Sequence, residues 1–371
     1  MKKHVFPWRM GKCSSSRSTK KWGIPFSFLC FASLLLFTGL ACGTTAQTQT
    51  APTQIEPGQT GPTQTEPGQT EPTQTAPTQT EPGKTEPPGG DLPVKLSPGD
   101  NTRSLVHNGL ERSYVLHIPP NFDGSQPVPL VLAFHGVGLD ADEMMRISGF
   151  SSQADSSGFI VVYPNGTGGT KSWNGGHCCG EAAKNNVDDV SFVRALIGEL
   201  ATSINIDPKR IYATGFSNGA ILTYRLACEL SDLIAAVGPV SATQVLQDMQ
   251  ACQPERPVAI IHFHGTEDDP NPYYGGETLA GFQFIPVDTA IQFWVGFNGC
   301  PLQPQRSESG SIRNELYSPC ESGSAVELYT ITGGKHAWPG GEAVNQVMGE
   351  PNMEISATVL MWEFFLSHPM P

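Results

Sequence analysis

The stretch "KRIYATGFSNGAILTYRLA" (209–227) decides the fold and points to the chemistry. Its first part (210–214) is a β-branched and aromatic run, which is typical of a buried strand. Apolar residues then recur at helical spacing. The intervening "GFSNGA" predicts a sharp strand–turn–helix, in which Gly215 and Gly219 leave room for the bend. Such a turn would present the hydroxyl of Ser217 at the edge of a sheet.

A Gly-x-Ser-x-Gly pattern is weak by itself in a chain with 40 glycines. Ser217 could equally be a small residue in a tight turn. A serine hydroxyl is a poor nucleophile without a neighbouring base and a group that orients the base. The ends of the other strands therefore decide between the two interpretations.

Short apolar runs alternate with helical stretches along the rest of the chain, which predicts an α/β fold. Near-continuous Val, Ile and Leu indicate a mostly parallel central sheet with helices on both faces. We expect the first strand to be antiparallel, because a short Pro-containing loop leads to the next. Two helices are expected at 188–203, with Asp188 as N-cap, and at 354–366. The expected strands are 113–118, 128–136, 158–164, 210–214, 235–241, 258–265 and 326–331.

Active sites of open α/β sheets lie beyond the carboxyl ends of the strands. The Gly-rich "HGVG" follows the strand at 128–134, the adjacent carboxylates Asp268 and Asp269 follow 258–263, and His336 follows 326–331. Four strand ends thus supply the four parts that a serine hydrolase needs. We therefore interpret Ser217 as the nucleophile.

The roles follow from the chemistry of each group. His336 is expected to accept the Ser217 proton and to return it to the leaving group. Asp268 would hold the imidazole in the correct tautomer. The backbone N–H groups of Val137 and Asn218 would bind the oxyanion.

Three further histidines have ordinary structural interpretations. His135 is expected to be a strand-end residue that lines the oxyanion loop. His262 and His264 form a His-x-His pattern, but no further ligands stand at fitting positions, so neither a metal nor another cofactor is expected.

The domain resembles the polyhydroxybutyrate depolymerase-like and feruloyl esterase group, within or near carbohydrate esterase family 1. The match runs across most of 100–371 and includes "VVYPNGT", "SWNGGHCCG", "HFHGTEDDPNPYYGG" and "GGKHAWPG". The resemblance implies an α/β-hydrolase fold and a cofactor-free serine esterase with Ser217, Asp268 and His336 as its triad. It also places Trp173 near the substrate pocket; a buried Trp173 that braces the Cys178–Cys179 loop is the alternative. We count His135 among the candidate pocket residues as well. Asp269 departs from the family, which usually has an apolar residue there.

The N-terminus reads as a targeting segment (1–41). Seven Lys and Arg precede an apolar run, and small residues precede Cys42. We expect a lipoprotein signal with Cys42 lipidated; an uncleaved membrane helix and ordinary secretory cleavage remain alternatives. Each of these three interpretations places the rest of the chain outside the cytoplasm. In the lipoprotein interpretation, the protein contacts the membrane only through its lipid.

Residues 42–91 repeat Pro, Thr, Gln and Glu and are expected to be a disordered tether. The remaining 280 residues (92–371) suffice for one large domain, which we expect to be monomeric. Removing the seven positive charges of 1–41 from the net charge of −13 leaves −20, which argues against nucleic acid as a partner.

Six cysteines fall in the domain, and an even number in an exported domain predicts disulfides. We expect Cys300 to pair with Cys320, because the segment between them is polar. For the other four, Cys228–Cys252 and a vicinal Cys178–Cys179 bridge are favoured.

The sequence therefore predicts an exported serine esterase. The favoured substrates are feruloyl or acetyl esters of a plant polysaccharide such as xylan. A depolymerase of short-chain polyesters such as polyhydroxybutyrate is the alternative within the same chemistry. A non-enzymatic surface binding protein on a hydrolase scaffold is the alternative of another class.

Overall fold

The structure is a computed structural model that describes residues 96–278 and 281–371. The signal segment (1–41), Cys42 and the tether (42–91) lie outside the described residues, so these expectations remain predictions. Within the described ranges, no helix has the length and apolar character needed to cross a bilayer.

A ten-stranded mixed sheet with the order β1-β2-β4-β3-β5-β6-β7-β12-β11-β10 forms the centre of the described domain. Its six middle strands, from β4 to β12, are parallel, and the two strands at each side are antiparallel. A separate hairpin consists of β8 and β9. The strands are β1 (Gly99–His107), β2 (Leu110–Ile118), β3 (Val128–Phe134), β4 (Ile160–Pro164), β5 (Ile206–Phe216), β6 (Ala236–Val240), β7 (Ala259–Gly265), β8 (Gly276–Glu277), β9 (Gln283–Phe284), β10 (Gln305–Ser309), β11 (Ile312–Tyr317) and β12 (Val326–Ile331).

Helices cover both faces of the sheet. Because alternate side chains of a strand point to opposite faces, Leu130 and Leu132 pack into one core while Val131 and Ala133 pack into the other. The first core includes side chains of α4, α5 and α7, and the second includes α1, α2 and α8. The helices are α1 (Ala141–Ser148), α2 (Phe150–Ser157), α3 (Gly180–Lys184), α4 (Asp189–Ser203), α5 (Asn218–Glu229), α6 (Leu246–Ala251), α7 (Val287–Phe297) and α8 (Ala357–Ser367).

The expected α/β architecture is confirmed, and each of the seven expected strands exists. The strand expected at 113–118 is antiparallel, but β4 lies between it and β3, so its partners are β1 and β4. Asp188 caps α4 by accepting a hydrogen bond from the backbone N–H of Ser191. The strands β1, β10 and β11 were not expected from the sequence, because none of them carries a continuous apolar run, and neither were the two-residue strands β8 and β9.

Three disulfides join the six domain cysteines in the favoured pairs. Cys300–Cys320 ties the end of α7 to the turn before β12. The segment it closes is polar and mostly exposed, as the strand β10 within it shows. A cross-link that closes a loop of this length stabilises a domain by about 3 kcal/mol in the chain-entropy model.

A buried ion pair fixes the region where β2 meets α4. The guanidinium of Arg112 lies 2.7 Å from one Asp189 oxygen, and both side chains are almost fully buried. The other Asp189 oxygen accepts the backbone N–H of Asn174 at 2.8 Å. The guanidinium also lies 3.9 Å from the ring centroid of Phe192.

We expect Arg112→Met to lower the free energy of unfolding by about 3–5 kcal/mol, because it leaves the Asp189 carboxylate buried without its partner. Urea unfolding measures this loss. The matched control is Arg194→Met, which breaks a half-exposed ion pair with Asp232 and should cost at most about 1 kcal/mol. Equal losses in the two variants would contradict the assignment of a structural role to the buried pair.

Candidate active site

Ser217 stands between the end of β5 and the start of α5. Its backbone has φ 55° and ψ −120°, a conformation that residues with a side chain rarely adopt. Its N–H donates to the carbonyl of Val240 on the neighbouring strand at 3.0 Å. The sharp strand–turn–helix expected from the sequence is therefore present, and the serine is held in a strained position at the carboxyl edge of the sheet.

The glycines of the motif allow a close approach of three backbone segments. A Cβ atom on Gly219 would overlap the carbonyl of Phe134 at the end of β3, and one on Gly215 would overlap the backbone of Gly219. Neither glycine has a positive φ, so the backbone conformation does not require glycine here. The close packing of the neighbouring backbone does. They let α5 begin directly against the central strands.

We expect Gly219→Ala to destabilise the domain by about 1–3 kcal/mol, because the added methyl group forces β3 and α5 apart. Helix propensity alone would favour alanine by about 1 kcal/mol. The control is Gly198→Ala on α4, where a Cβ atom meets nothing within 4 Å. Thermal unfolding should show a lower midpoint for Gly219→Ala and an equal or higher midpoint for Gly198→Ala. A Gly219→Ala variant as stable as its parent would contradict the packing argument.

His336 and Asp268 form a buried pair on loops that follow β12 and β7. The Nδ1 atom of His336 lies 2.8 and 3.0 Å from the two carboxylate oxygens of Asp268. Nδ1 must carry a proton to make these bonds, so Nε2 is free to accept one. The imidazole packs on the ring of Phe216, with 4.7 Å between centroids, and thus lies beside the residue that precedes Ser217.

Backbone contacts between loops hold this pair in place. The N–H of Glu267 donates to the carbonyl of Gly334 at 2.9 Å, which ties the Asp268 loop to the His336 loop. The hydroxyl of Ser241 donates to the carbonyl of Ala337 at 3.2 Å. The two residues are therefore positioned by the ends of three adjacent strands.

Asp269 occupies a different place from its neighbour. It is exposed and lines the mouth of a cavity, whereas Asp268 is buried beside His336. No hydrogen bond joins Asp269 to His336 in the part of the chain that the structure describes. The structure thus brings Asp268 to the imidazole.

The cavity beside Ser217 has a volume of about 400 Å³. Val137 and Asn218 line it next to the serine. Across residues 96–278 and 281–371, the backbone N–H groups of these two residues donate to no other protein group. Gly136 brings this loop close to the serine, since a Cβ atom there would lie 3.2 Å from the Ser217 Cβ.

One wall of the cavity is apolar and was not expected from the sequence. Ile221 lies one turn along α5 from Ser217, so its helical spacing could have identified it. Phe282 and Phe284 come from the β8–β9 hairpin, a short segment without recognisable periodicity. Cys179 of the vicinal disulfide also lines the cavity.

Trp173 and His135 do not line this cavity, because both side chains are fully buried. The backbone N–H of Trp173 donates to the side-chain oxygen of Asn218 at 2.8 Å, and the Asn218 side-chain amide donates to the Trp173 carbonyl at 3.0 Å. The indole N–H of Trp173 donates to the carbonyl of His135. Trp173 therefore lies behind the Ser217 turn as a brace, which favours the bracing alternative over a place in the substrate pocket.

His135 is buried behind the oxyanion loop. Its Nδ1 bonds the carbonyl of Gly136 at 2.7 Å, and its Nε2 accepts the N–H of Gly166 at 2.9 Å. Burial lowers the pKa of His135 to about 4, so the imidazole is neutral at neutral pH. His135 is thus placed as the strand-end structural residue that one of its two sequence interpretations describes, and it is not among the residues that line the cavity.

Comparison with known proteins adds the family context. The family model described as Esterase PHB depolymerase matches residues 112–255, a range that includes Ser217 but not Asp268 or His336. Feruloyl esterase B of Piromyces equi is 34% identical over 234 residues, which is 61% of this chain and 42% of that protein. A bifunctional acetylxylan esterase/xylanase of Neocallimastix patriciarum is 30% identical over 236 residues, 62% of this chain and 31% of that protein. The chain thus spans less than half the length of these two curated relatives.

The acetyl xylan esterase from Aspergillus awamori has a similar structure. The two superimpose with a TM-score of 0.52 over 72% of this chain and 99% of the other, at 15% identity. At this identity the likeness shows the fold.

Proposed function

We propose that the chain, which is similar to the polyhydroxybutyrate depolymerase-like and feruloyl esterase group and has an α/β-hydrolase fold, hydrolyses carboxylic esters through Ser217, His336 and Asp268. One observation carries the proposal. Ser217 lies in a strained turn on the wall of a cavity, and the buried His336–Asp268 pair packs on the residue before it.

The first step forms the acyl-enzyme. The Ser217 oxygen attacks the ester carbonyl while Nε2 of His336 takes its proton. The tetrahedral oxyanion accepts hydrogen bonds from the backbone N–H groups of Val137 and Asn218, which have no other protein partner in the described ranges. The intermediate then collapses, the alcohol leaves with the proton from His336, and the acyl group stays on Ser217.

The second step releases the acid. Water attacks the acyl carbonyl and gives a proton to His336, which returns it to the Ser217 oxygen as the ester bond to the enzyme breaks. Asp268 keeps the proton on Nδ1 of His336 in both steps and stabilises the imidazolium that forms. The chemistry is complete with these side chains and water.

The apolar wall supports an acyl group of some size. Ile221, Phe282 and Phe284 line, together with Ser217, a cavity of about 400 Å³, which lies in the range of small-molecule sites. An aromatic acyl group such as feruloyl would bury its ring there. We therefore favour feruloyl or acetyl esters of a plant polysaccharide, in line with the names of the two curated relatives.

A depolymerase of short polyesters remains the second candidate, because the matching family model carries that name. Comparing kcat/KM for methyl ferulate and for a hydroxybutyrate oligomer, on one purified preparation, separates the two. We expect the ferulate ester to be the better substrate, since stacking on Phe282 and Phe284 adds about 1 kcal/mol or more for an aromatic ring. If the hydroxybutyrate oligomer were the better substrate, polyesters would replace ferulate esters as the proposed substrate class.

Export is part of the same proposal. The three disulfides are of the kind that persists in oxidising compartments. Lipid attachment at Cys42 and a monomeric state remain predictions. Loss of the protein from the membrane fraction in a Cys42→Ser variant would support the lipid anchor, and retention would indicate a spanning segment.

A further inference from the structure

A chain of buried polar groups runs from α5 to the loop that carries Asp268. The Tyr224 hydroxyl lies 2.9 Å from Nδ1 of His262, and Nε2 of His262 lies 3.0 Å from Nδ1 of His264. The Nε2 atom of His264 lies 2.8 Å from the carbonyl oxygen of Asn271. All three ring side chains are fully or almost fully buried. The proposed catalytic steps use none of them.

The last contact fixes the position of each proton. Nε2 of His264 faces the Asn271 carbonyl and lies 3.5 Å from an Asp268 oxygen. Neither of these oxygens can donate, so Nε2 of His264 carries the proton. Its Nδ1 is then an acceptor, which His262 serves with its own Nε2–H. The remaining nitrogen of His262 accepts the proton of the Tyr224 hydroxyl.

Burial supports this neutral arrangement. It lowers the pKa of both His262 and His264, because a charged imidazole would be removed from water. Each imidazole donates one hydrogen bond and accepts one, so no buried nitrogen is left without a partner. The chain thus has a single direction, from Tyr224 to Asn271.

The turn held at its end is the one that orients the catalytic carboxylate. The N–H of Asn271 donates to one oxygen of Asp268 at 2.9 Å, while the carbonyl of the same residue accepts from His264. The other Asp268 oxygen lies 2.8 Å from Nδ1 of His336 and 3.5 Å from Nε2 of His264. The His264 N–H therefore holds the turn through the Asn271 carbonyl and faces the Asp268 carboxylate.

We propose that His264 is a positioning residue for ester hydrolysis, which holds the Asp268–Asn271 turn so that the carboxylate meets Nδ1 of His336. Through His262 and Tyr224 the same chain ties this turn to α5, the helix that begins directly after Ser217. The inference rests on the proposed function, since it concerns the group that orients the general base.

Two amide variants of His264 test the role. Asn places its terminal atoms near the position of Nδ1 and loses the donor to Asn271, whereas Gln reaches the position of Nε2 and keeps it. We expect His264→Asn to lower kcat on a chromogenic acetyl ester by about 100-fold, the cost of a displacement of about 1 Å in a catalytic group. His264→Gln should stay within about fivefold, since one net hydrogen bond is at stake. KM should change little in either variant, because no contact with substrate is removed.

A spectroscopic signature separates positioning from general stability. The proton shared by His336 Nδ1 and Asp268 should give a low-field proton NMR signal in the parent and in His264→Gln, and the signal should shift or vanish in folded His264→Asn. Equal activity in both variants, equal losses in both, or a loss carried by KM or by unfolding would overturn the role. Ser217→Ala distinguishes a failure of this inference from a failure of the proposed function. An active Ser217→Ala variant overturns the proposed function as well. An inactive Ser217→Ala variant beside a fully active His264→Asn overturns this inference alone.

Discussion

Replacing Ser217 by Ala is expected to lower kcat on a chromogenic acetyl ester by about 10⁶-fold, the loss found when the nucleophile of another Ser-His-Asp enzyme is removed. The variant keeps the cavity and the oxyanion donors but cannot form the acyl-enzyme. A residual rate above that of water should survive, because binding and the oxyanion donors act without the nucleophile. Steady-state hydrolysis by the purified variant measures the effect, and circular dichroism verifies the fold.

A double variant sharpens the same test. Residues that act as one unit do not lose activity additively. Ser217→Ala combined with His336→Ala should therefore be no slower than Ser217→Ala alone. Additive losses would mean that the imidazole acts elsewhere, and full activity in the single variant would remove Ser217 from the mechanism.

Asp268→Asn is expected to lower turnover by about 10⁴-fold, because the amide no longer holds the proton on Nδ1 of His336 and the imidazole adopts the wrong tautomer. Both carboxylate oxygens lie within 3.0 Å of that nitrogen, so the substitution acts on the base directly. The effect should fall on kcat, since Asp268 is buried away from the substrate.

Asp269→Asn is the matched control, because it makes the same chemical change one residue away. Asp269 is exposed at the cavity mouth and has no contact with His336 among the described residues, so turnover should stay within about tenfold of the parent. Both variants are measured on one ester after their fold has been verified. If Asp269→Asn were the inactive one, the acid would be misassigned and the loop register would shift by one residue.

The parts of the site that the sequence could predict are those that follow local rules. The Ser217 turn is set by a buried strand, two glycines and apolar residues at helical spacing within one short segment. His336 and Asp268 follow recognisable strands, and parallel strands bring their carboxyl ends to one edge of the sheet. The choice of Asp268 over Asp269 came from the resemblance to the family, and the structure supplies its geometric reason.

The parts that escaped prediction depend on contacts between distant segments. Phe282 and Phe284 reach the cavity from a hairpin without periodicity, and β10 is a polar edge strand whose five residues are all exposed. The sequence left Trp173 open between a pocket residue and a brace, and two hydrogen bonds between its backbone and the Asn218 side chain hold it behind the turn. The role proposed for His264 depends on its hydrogen bonds with His262 and with the carbonyl of Asn271, which sequence spacing cannot show.

Labelling with a serine-reactive fluorophosphonate tests the central claim most directly, because the probe forms a stable bond with an activated serine and leaves ordinary hydroxyls alone. Peptide mapping by mass spectrometry locates the adduct. Ser217 should carry one adduct in the parent, in step with the loss of ester hydrolysis, and Ser217→Ala should remain unlabelled. An adduct on another serine, or no labelling of an active and folded preparation, would contradict the account.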